Sequence, residues 1–142
     1  MRSVTGNFFE SKVRLSRITE DGTPAKVNEC YVVNALSFTE CEARVADNIA
    51  TDDEYEILTE TKAQYKEIFF SDSDDDIFYK VKVDFVTLNE KTGREQHSKV
   101  VYLVQGSSTV SAQRNIDEVM SGTMTDYRVL SIQETSIMGY YE

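Results

Sequence analysis

Four cations stand in pairs two residues apart, Lys12 with Arg14 and Lys80 with Lys82. Each pair lies in an alternating stretch, so its two side chains leave the same face of a strand. The same parity puts Phe8 with the first pair and Phe78 with the second. Cations that track phosphates and aromatics that stack on bases hold a single nucleic-acid strand without reading its sequence. Two copies of such a face, Phe8/Lys12/Arg14 and Phe78/Lys80/Lys82, suit a single strand better than a duplex. The same alternation also serves a plainer purpose, which is to solvate the outer face of an antiparallel sheet.

Groups for catalysis are sparse. His97 is the sole histidine and follows a hairpin turn among Arg94, Glu95, Gln96 and Ser98, the setting of a solvated loop residue. Cys41 falls on the apolar stripe of a helix, where it serves as a small hydrophobe. Without a second histidine there is no Cys–His pair to build. Neither a glycine-rich phosphate loop nor a nucleophile elbow is present. The chain therefore reads as non-enzymatic, with no catalytic residue, no cofactor and no metal site. Asp72, Asp74 and Asp76 alternate like the first ligands of a calcium loop. That loop needs Gly at its sixth position and Glu at its twelfth, where this chain has Ile77 and Val83.

These residues need strands and helices to position them. Phe9, Ser11, Val13 and Leu15 alternate with Glu10, Lys12, Arg14 and Ser16, which predicts a half-buried strand. Asp21-Gly22-Thr23-Pro24 turns the chain, and Val27–Asn34 returns as the second strand of a hairpin. Ser37 and Glu40 have the spacing of a capping box. Phe38, Cys41, Val45 and Ile49 then form the stripe of an amphipathic helix that Asn48 and Thr51-Asp52-Asp53 end. Tyr55–Leu58 and Tyr65–Phe70 are strand-like, and whether they are one bent strand or two is left open.

The second half repeats this order. Phe78–Leu88 alternates, with Tyr79, Val81, Val83 and Phe85 on one face and Lys80, Lys82 and Asp84 on the other. Asn89-Glu90-Lys91-Thr92-Gly93 turns, and Ser98–Gln105 returns. Ser107-Ser108-Thr109 starts a helix with the stripe Ala112, Ile116, Val119 and Met120, which Gly122 stops. Thr125–Gln133 and Ile137–Tyr141 close the chain as a strand pair. Lys12-Val13-Arg14-Leu15 aligns with Lys80-Val81-Lys82-Val83, and Tyr31-Val32-Val33 with Tyr102-Leu103-Val104. Tyr55-Glu56-Ile57-Leu58 aligns likewise with Tyr127-Arg128-Val129-Leu130. The expectation is one α+β domain over residues 1–142, with antiparallel sheet and two helices. It would consist of duplicated β-β-α-β(-β) units at about 8–70 and 77–142, joined by the acidic loop 71–76.

The chain of 142 residues carries 15 Lys and Arg against 25 Asp and Glu, a formal charge of -10. That excludes a polybasic protein coating nucleic acid by bulk charge, though a local basic face can survive. No apolar run approaches the ~18 residues of a membrane span, and no membrane partner is expected. Two cysteines are too few for a disulfide scaffold and fit reduced thiols in the cytoplasm. The alternative is an acidic module that presents Asp72, Asp74, Asp75 and Asp76 to a protein partner in place of DNA phosphates. The sequence leaves oligomeric state open, a homodimer or higher assembly included.

The segment Ala35-Leu36-Ser37-Phe38-Thr39-Glu40-Cys41-Glu42-Ala43-Arg44 resembles the Leu-Ser-Phe-Thr-Glu-Ala-Glu signature of an uncharacterised family from gut Bacteroidota and their crAss-like tailed phages. Phe9–Arg14 and the ending from Asp126-Tyr127 to Met138 resemble that family too. The resemblance implies a protein of the bacterial host cytoplasm that binds single-stranded DNA in phage replication. It carries over no catalytic residue. If Thr59–Gln64 is a turn, Tyr55–Gly122 reads as four strands and a helix, similar to the unit of the whirly and PC4-like single-strand binders. The first hairpin, first helix and last strands would complete a second such unit by circular permutation. Such a likeness of fold does not by itself fix function.

Overall fold

The alternating stretches become long strands. The structure, a computed structural model, describes residues 1–49, 54–73 and 75–142. Thr51, Asp52 and Asp53, expected to end the first helix, and Asp74 of the acidic run lie outside the described residues. Among the described residues the order is β1 (Arg2–Val4), β2 (Phe8–Ile18), β3 (Pro24–Asn34), α1 (Phe38–Asn48), β4 (Tyr55–Ala63), β5 (Tyr65–Phe70), β6 (Ile77–Leu88), β7 (Glu95–Gly106), α2 (Thr109–Met120), β8 (Asp126–Glu134) and β9 (Ile137–Tyr141). The protein is α+β, with two helices and mostly sheet.

The chain divides into two compact units. One comprises Gly6–Gln64 with Ser136–Glu142, and its sheet has the order β4-β2-β3-β9. The other comprises Met1–Thr5 with Tyr65–Thr135, in the order β1-β5-β7-β6-β8. They are called here the β2 unit and the β6 unit. β4 and β8 each pair antiparallel with the first strand of a hairpin, β2·β3 or β6·β7. On the far side β9 joins β3, and β5 joins β7, both in parallel. β8 and β9 are thus not partners: β9 crosses to the β2 unit as β5 crosses to the β6 unit. The stretch Tyr55–Phe70 is two strands in different sheets. β1, with no counterpart in the β2 unit, adds to the edge of β5.

Each unit packs one strand parity against its helix, while Val32, Ile68 and Leu103 of the opposite parity are buried as well. In the β2 unit Phe9, Val13, Leu15, Tyr31 and Val33 pack with Cys41 and Val45 of α1. In the β6 unit Tyr79, Val81, Val83, Tyr102 and Val104 pack with Ala112, Ile116 and Met120 of α2. Phe38, expected on the buried stripe, is half exposed and meets Phe9 edge-on at a centroid distance of 5.0 Å. Ser37 caps α1 by accepting from the Glu40 amide at 3.1 Å. Glu40 does not close the expected box, because its carboxylate accepts from Arg44 one turn on at 2.8 Å. The reciprocal box forms in α2, between Ser108 and Ser111.

Register fixes which residues of the two sheets correspond. Both β2·β4 and β6·β8 carry a bulge, after Lys12 in one and after Lys82 in the other. Phe9 opposes Val33 as Tyr79 opposes Val104, and Ser11 opposes Tyr31 as Val81 opposes Tyr102. Lys12 therefore corresponds to Lys82, Arg14 to Asp84 and Glu10 to Lys80. The alignment that set Lys12 beside Lys80 is two residues out of step, since period-two alternation looks the same after a shift of two.

Candidate nucleic-acid interface

Each sheet keeps one face away from its helix, and the expected cations lie there. Lys12 and Arg14 are exposed on β2, and Lys82 is exposed on β6. Lys80 is half-buried, with Nζ 5.7 Å from the centroid of the Tyr65 ring. Register adds two exposed cations that the spacing argument missed. Lys99 of β7 and Arg128 of β8 flank Asp84 on either side. Lys82, Lys99 and Arg128 thus occupy three adjacent strands, about 4.8 Å apart in the sheet.

The aromatic half of the expectation does not hold. Phe8 is 1% exposed and Phe78 is 3% exposed. Both share the parity of the cations, but each ring is enclosed at the start of its strand. Phe8 meets Tyr140 edge-on at 6.3 Å, and Phe78 meets Phe70 edge-on at the same distance. A large aromatic surface gains more from burial beside another ring than from waiting in water for a base. Neither phenylalanine offers a stacking platform.

Asp84 also departs from its expected place in solvent. It is 1% exposed. Its Oδ2 lies 2.7 Å from Nδ1 of His97 and accepts from Arg128 Nη2 at 3.5 Å. Its Oδ1 has no hydrogen-bond partner among the described residues. His97 is consequently a strand residue of β7, held through one nitrogen by a buried carboxylate, with Nε2 3.6 Å from Glu95. The turn carried a usable signal: a hairpin centred on Lys91-Thr92 sets Asp84 opposite Lys99 and diagonal to His97. Arg128 comes from a strand much later in the chain, and nothing local announces it.

The acidic loop is partly tied down. Asp72 lies 3.8 Å from the Met1 ammonium, and Ser71 Oγ donates to Asp75 at 2.6 Å.

Fold and face together define an α+β protein of two mixed sheets, each with a cation-bearing face turned from its helix. Residues 7–142 match the family model described as Domain of unknown function (DUF4494), and the chain belongs to that family. No curated protein and no solved structure matches it. Among the described residues no helix is long and apolar enough to cross a membrane.

Proposed function

We propose that the protein binds single-stranded nucleic acid, without enzymatic activity and largely without regard to base sequence. The observation that carries the reading is the cluster of Lys82, Lys99 and Arg128 on three adjacent strands of a helix-free face. Lys80 borders it, and Lys12 recurs at the equivalent bulge of the other sheet. Thr59 opposes Lys12 and Ser131 opposes Lys82, so each bulge also offers a hydroxyl donor. With Phe8 and Phe78 buried, affinity comes from phosphate contacts, which carry no sequence information. Leu130, the extra residue of the bulge opposite Lys82 and Val83, is 38% exposed. It gives an unstacked base an apolar surface that a base inside a duplex cannot reach. The setting, phage or mobile-element DNA replication in the cytoplasm of a bacterial host, rests on the family resemblance of Leu36–Glu42.

Fluorescence anisotropy with labelled oligonucleotides tests this. If Lys80, Lys82, Lys99 and Arg128 each neutralise one phosphate, log affinity falls against log salt with a slope of about -2.8, at ~0.7 per phosphate for single strands. Lys82→Glu with Lys99→Glu should abolish most binding and leave the fold intact, because both side chains are exposed. No binding at tens of micromolar protein, or equal binding by the double variant, overturns the reading. The formal charge of -10 would then favour an acidic module that docks on a host protein.

A further inference from the structure

The helix-free faces of the two sheets carry corresponding sites in which the central residue and its partner on the outer strand have exchanged charge. Register equates Asp84 with Arg14, Lys99 with Asn28, His97 with Lys26 and Arg128 with Glu56. In the β6 unit the central residue is a carboxylate, buried and accepting from His97 and Arg128. The site is closed by its own side chains. In the β2 unit the central residue is a guanidinium, and the same place is open. A cleft there is lined by Arg14, Ser16, Lys26, Glu54, Tyr55 and Glu56. Arg14 Nε donates to Asn28 Oδ1 at 3.2 Å, which fixes the plane of the guanidinium. Its two terminal nitrogens have no partner among the described residues. Arg14 and Glu56 oppose each other in register, yet no ion pair joins them, and none joins Lys26 to Glu54.

The cleft is polarised across the strands. Cations stand on β2 and β3, carboxylates on β4 and at its start, and the Ser16 hydroxyl lies between. A phosphate dianion alone would meet Glu54 and Glu56, and a cation alone would meet Arg14 and Lys26; each pays a like-charge cost. A molecule bearing both charges a few bonds apart avoids both. A carboxylate matches the fork of an arginine whose terminal nitrogens are open. The directly opposed Glu56, with its Cβ about 5 Å across the strand pair, is within reach of an ammonium on the adjacent carbon.

We propose that this cleft binds a small zwitterion of the α-amino-acid class. The carboxylate sits on the terminal nitrogens of Arg14 with Lys26 beside it, and the ammonium sits on Glu56 and Glu54. The proposal is independent of the nucleic-acid reading and uses none of Lys80, Lys82, Lys99 or Arg128. Glycine is the minimal probe, with acetate and methylammonium as analogues that each carry one charge. Amide chemical shifts of the full chain are followed at low salt as each is titrated. Glycine should saturate shifts at Ser16, Lys26 and Glu56, and each analogue should bind at least tenfold more weakly, the loss of one charge-assisted contact. Arg14→Gln and Glu56→Gln should each weaken glycine about tenfold without changing the melting temperature. Acetate binding as well as glycine, or Glu56→Gln without effect, reduces the site to a bare anion contact and overturns the proposal. So does the absence of saturable shifts with glycine at tens of millimolar.

Discussion

Arg17 donates from Nε and Nη2 to the carboxylate of Glu29 at 3.1 and 2.9 Å, and the Tyr31 hydroxyl adds a third bond at 2.6 Å. These donors, Arg17 foremost, hold the Glu29 carboxyl below the ordinary glutamate range against the opposing effect of burial. A depressed folded value means that the contribution is present above the unfolded value of about 4.3 and is lost as pH falls through the folded one. Glu29→Gln should therefore destabilise the protein by about 2 kcal/mol at pH 7, less than for a fully enclosed pair because Arg17 is a third exposed. Urea melts at pH 7 and pH 3 check this: the difference between variant and parent should shrink at the lower pH. Equal differences at both would mean that the charge is not what matters. Cys41 shows the opposite displacement. Burial first, then the neighbouring Glu60, pushes its thiol up to about 12. Roughly one molecule in ten thousand then carries the thiolate at pH 8, so Cys41 should resist a disulfide reagent until the protein unfolds. Fast labelling of Cys41 in the native state would refute that. Ala112 fills the corresponding place on α2, so Cys41→Ala should cost only about 1 kcal/mol.

Helix α2 starts with a reciprocal cap, in which the Ser111 amide donates to Ser108 Oγ at 3.2 Å and the Ser108 amide donates to Ser111 Oγ at 3.0 Å. Ser108→Ala removes half of this and leaves first-turn N–H groups without their acceptor, at about 1 kcal/mol. Ser37→Ala on α1 should cost no more, since Glu40 there serves Arg44 rather than the cap. Chemical denaturation of the two variants compares them, and a larger loss at Ser37 would contradict the assignment of the box to α2. Both cap positions were legible, because capping is a matter of a few consecutive residues. So were the hairpins, the two helices and the core parity, which depend on periods of two and 3.6. Depth along a strand was not legible: Phe8 and Lys12 share a parity, and only packing separates the buried ring from the exposed ammonium. Ser11 makes the same point from the core side, a hydroxyl on the buried parity whose Oγ finds no partner among the described residues. The pairing of Asp84 with His97 and Arg128 joins three strands, whereas alternation is a property of one strand at a time.

At the scale of the whole chain the feature that sequence order conceals is the exchange of closing strands. Neighbouring segments usually pair, so Thr125–Gln133 and Ile137–Tyr141 read naturally as partners. β9 instead runs parallel to β3, where Tyr141 stacks on Tyr31 at a centroid distance of 4.6 Å and Ile137 is buried. β5 runs parallel to β7 and brings Phe69 into the core of the β6 unit against Tyr102, at 5.3 Å. Parallel pairs need long connections: the one from β3 to β9 runs through the β6 unit and back, and the one from β5 to β7 contains β6, while β5 itself follows directly on β4 of the β2 unit. Neither half of the sequence therefore contains a complete sheet. A fragment of residues 1–73 holds β2, β3, α1 and β4 without β9, and it carries β1 and β5 with no β7 to receive them. Residues 74–142 hold β6, β7, α2 and β8 without β5, and β9 is left over. Each fragment would expose a hydrogen-bonding strand edge and an incomplete core, a combination that favours association over independent folding. The expected result is that each fragment alone shows no cooperative thermal transition by circular dichroism. Mixing them should restore one, because each supplies the strand that the other lacks. Residues 74–142 melting cooperatively as an isolated monomer would show that β5 is an accessory to the β6 sheet rather than part of what makes it fold.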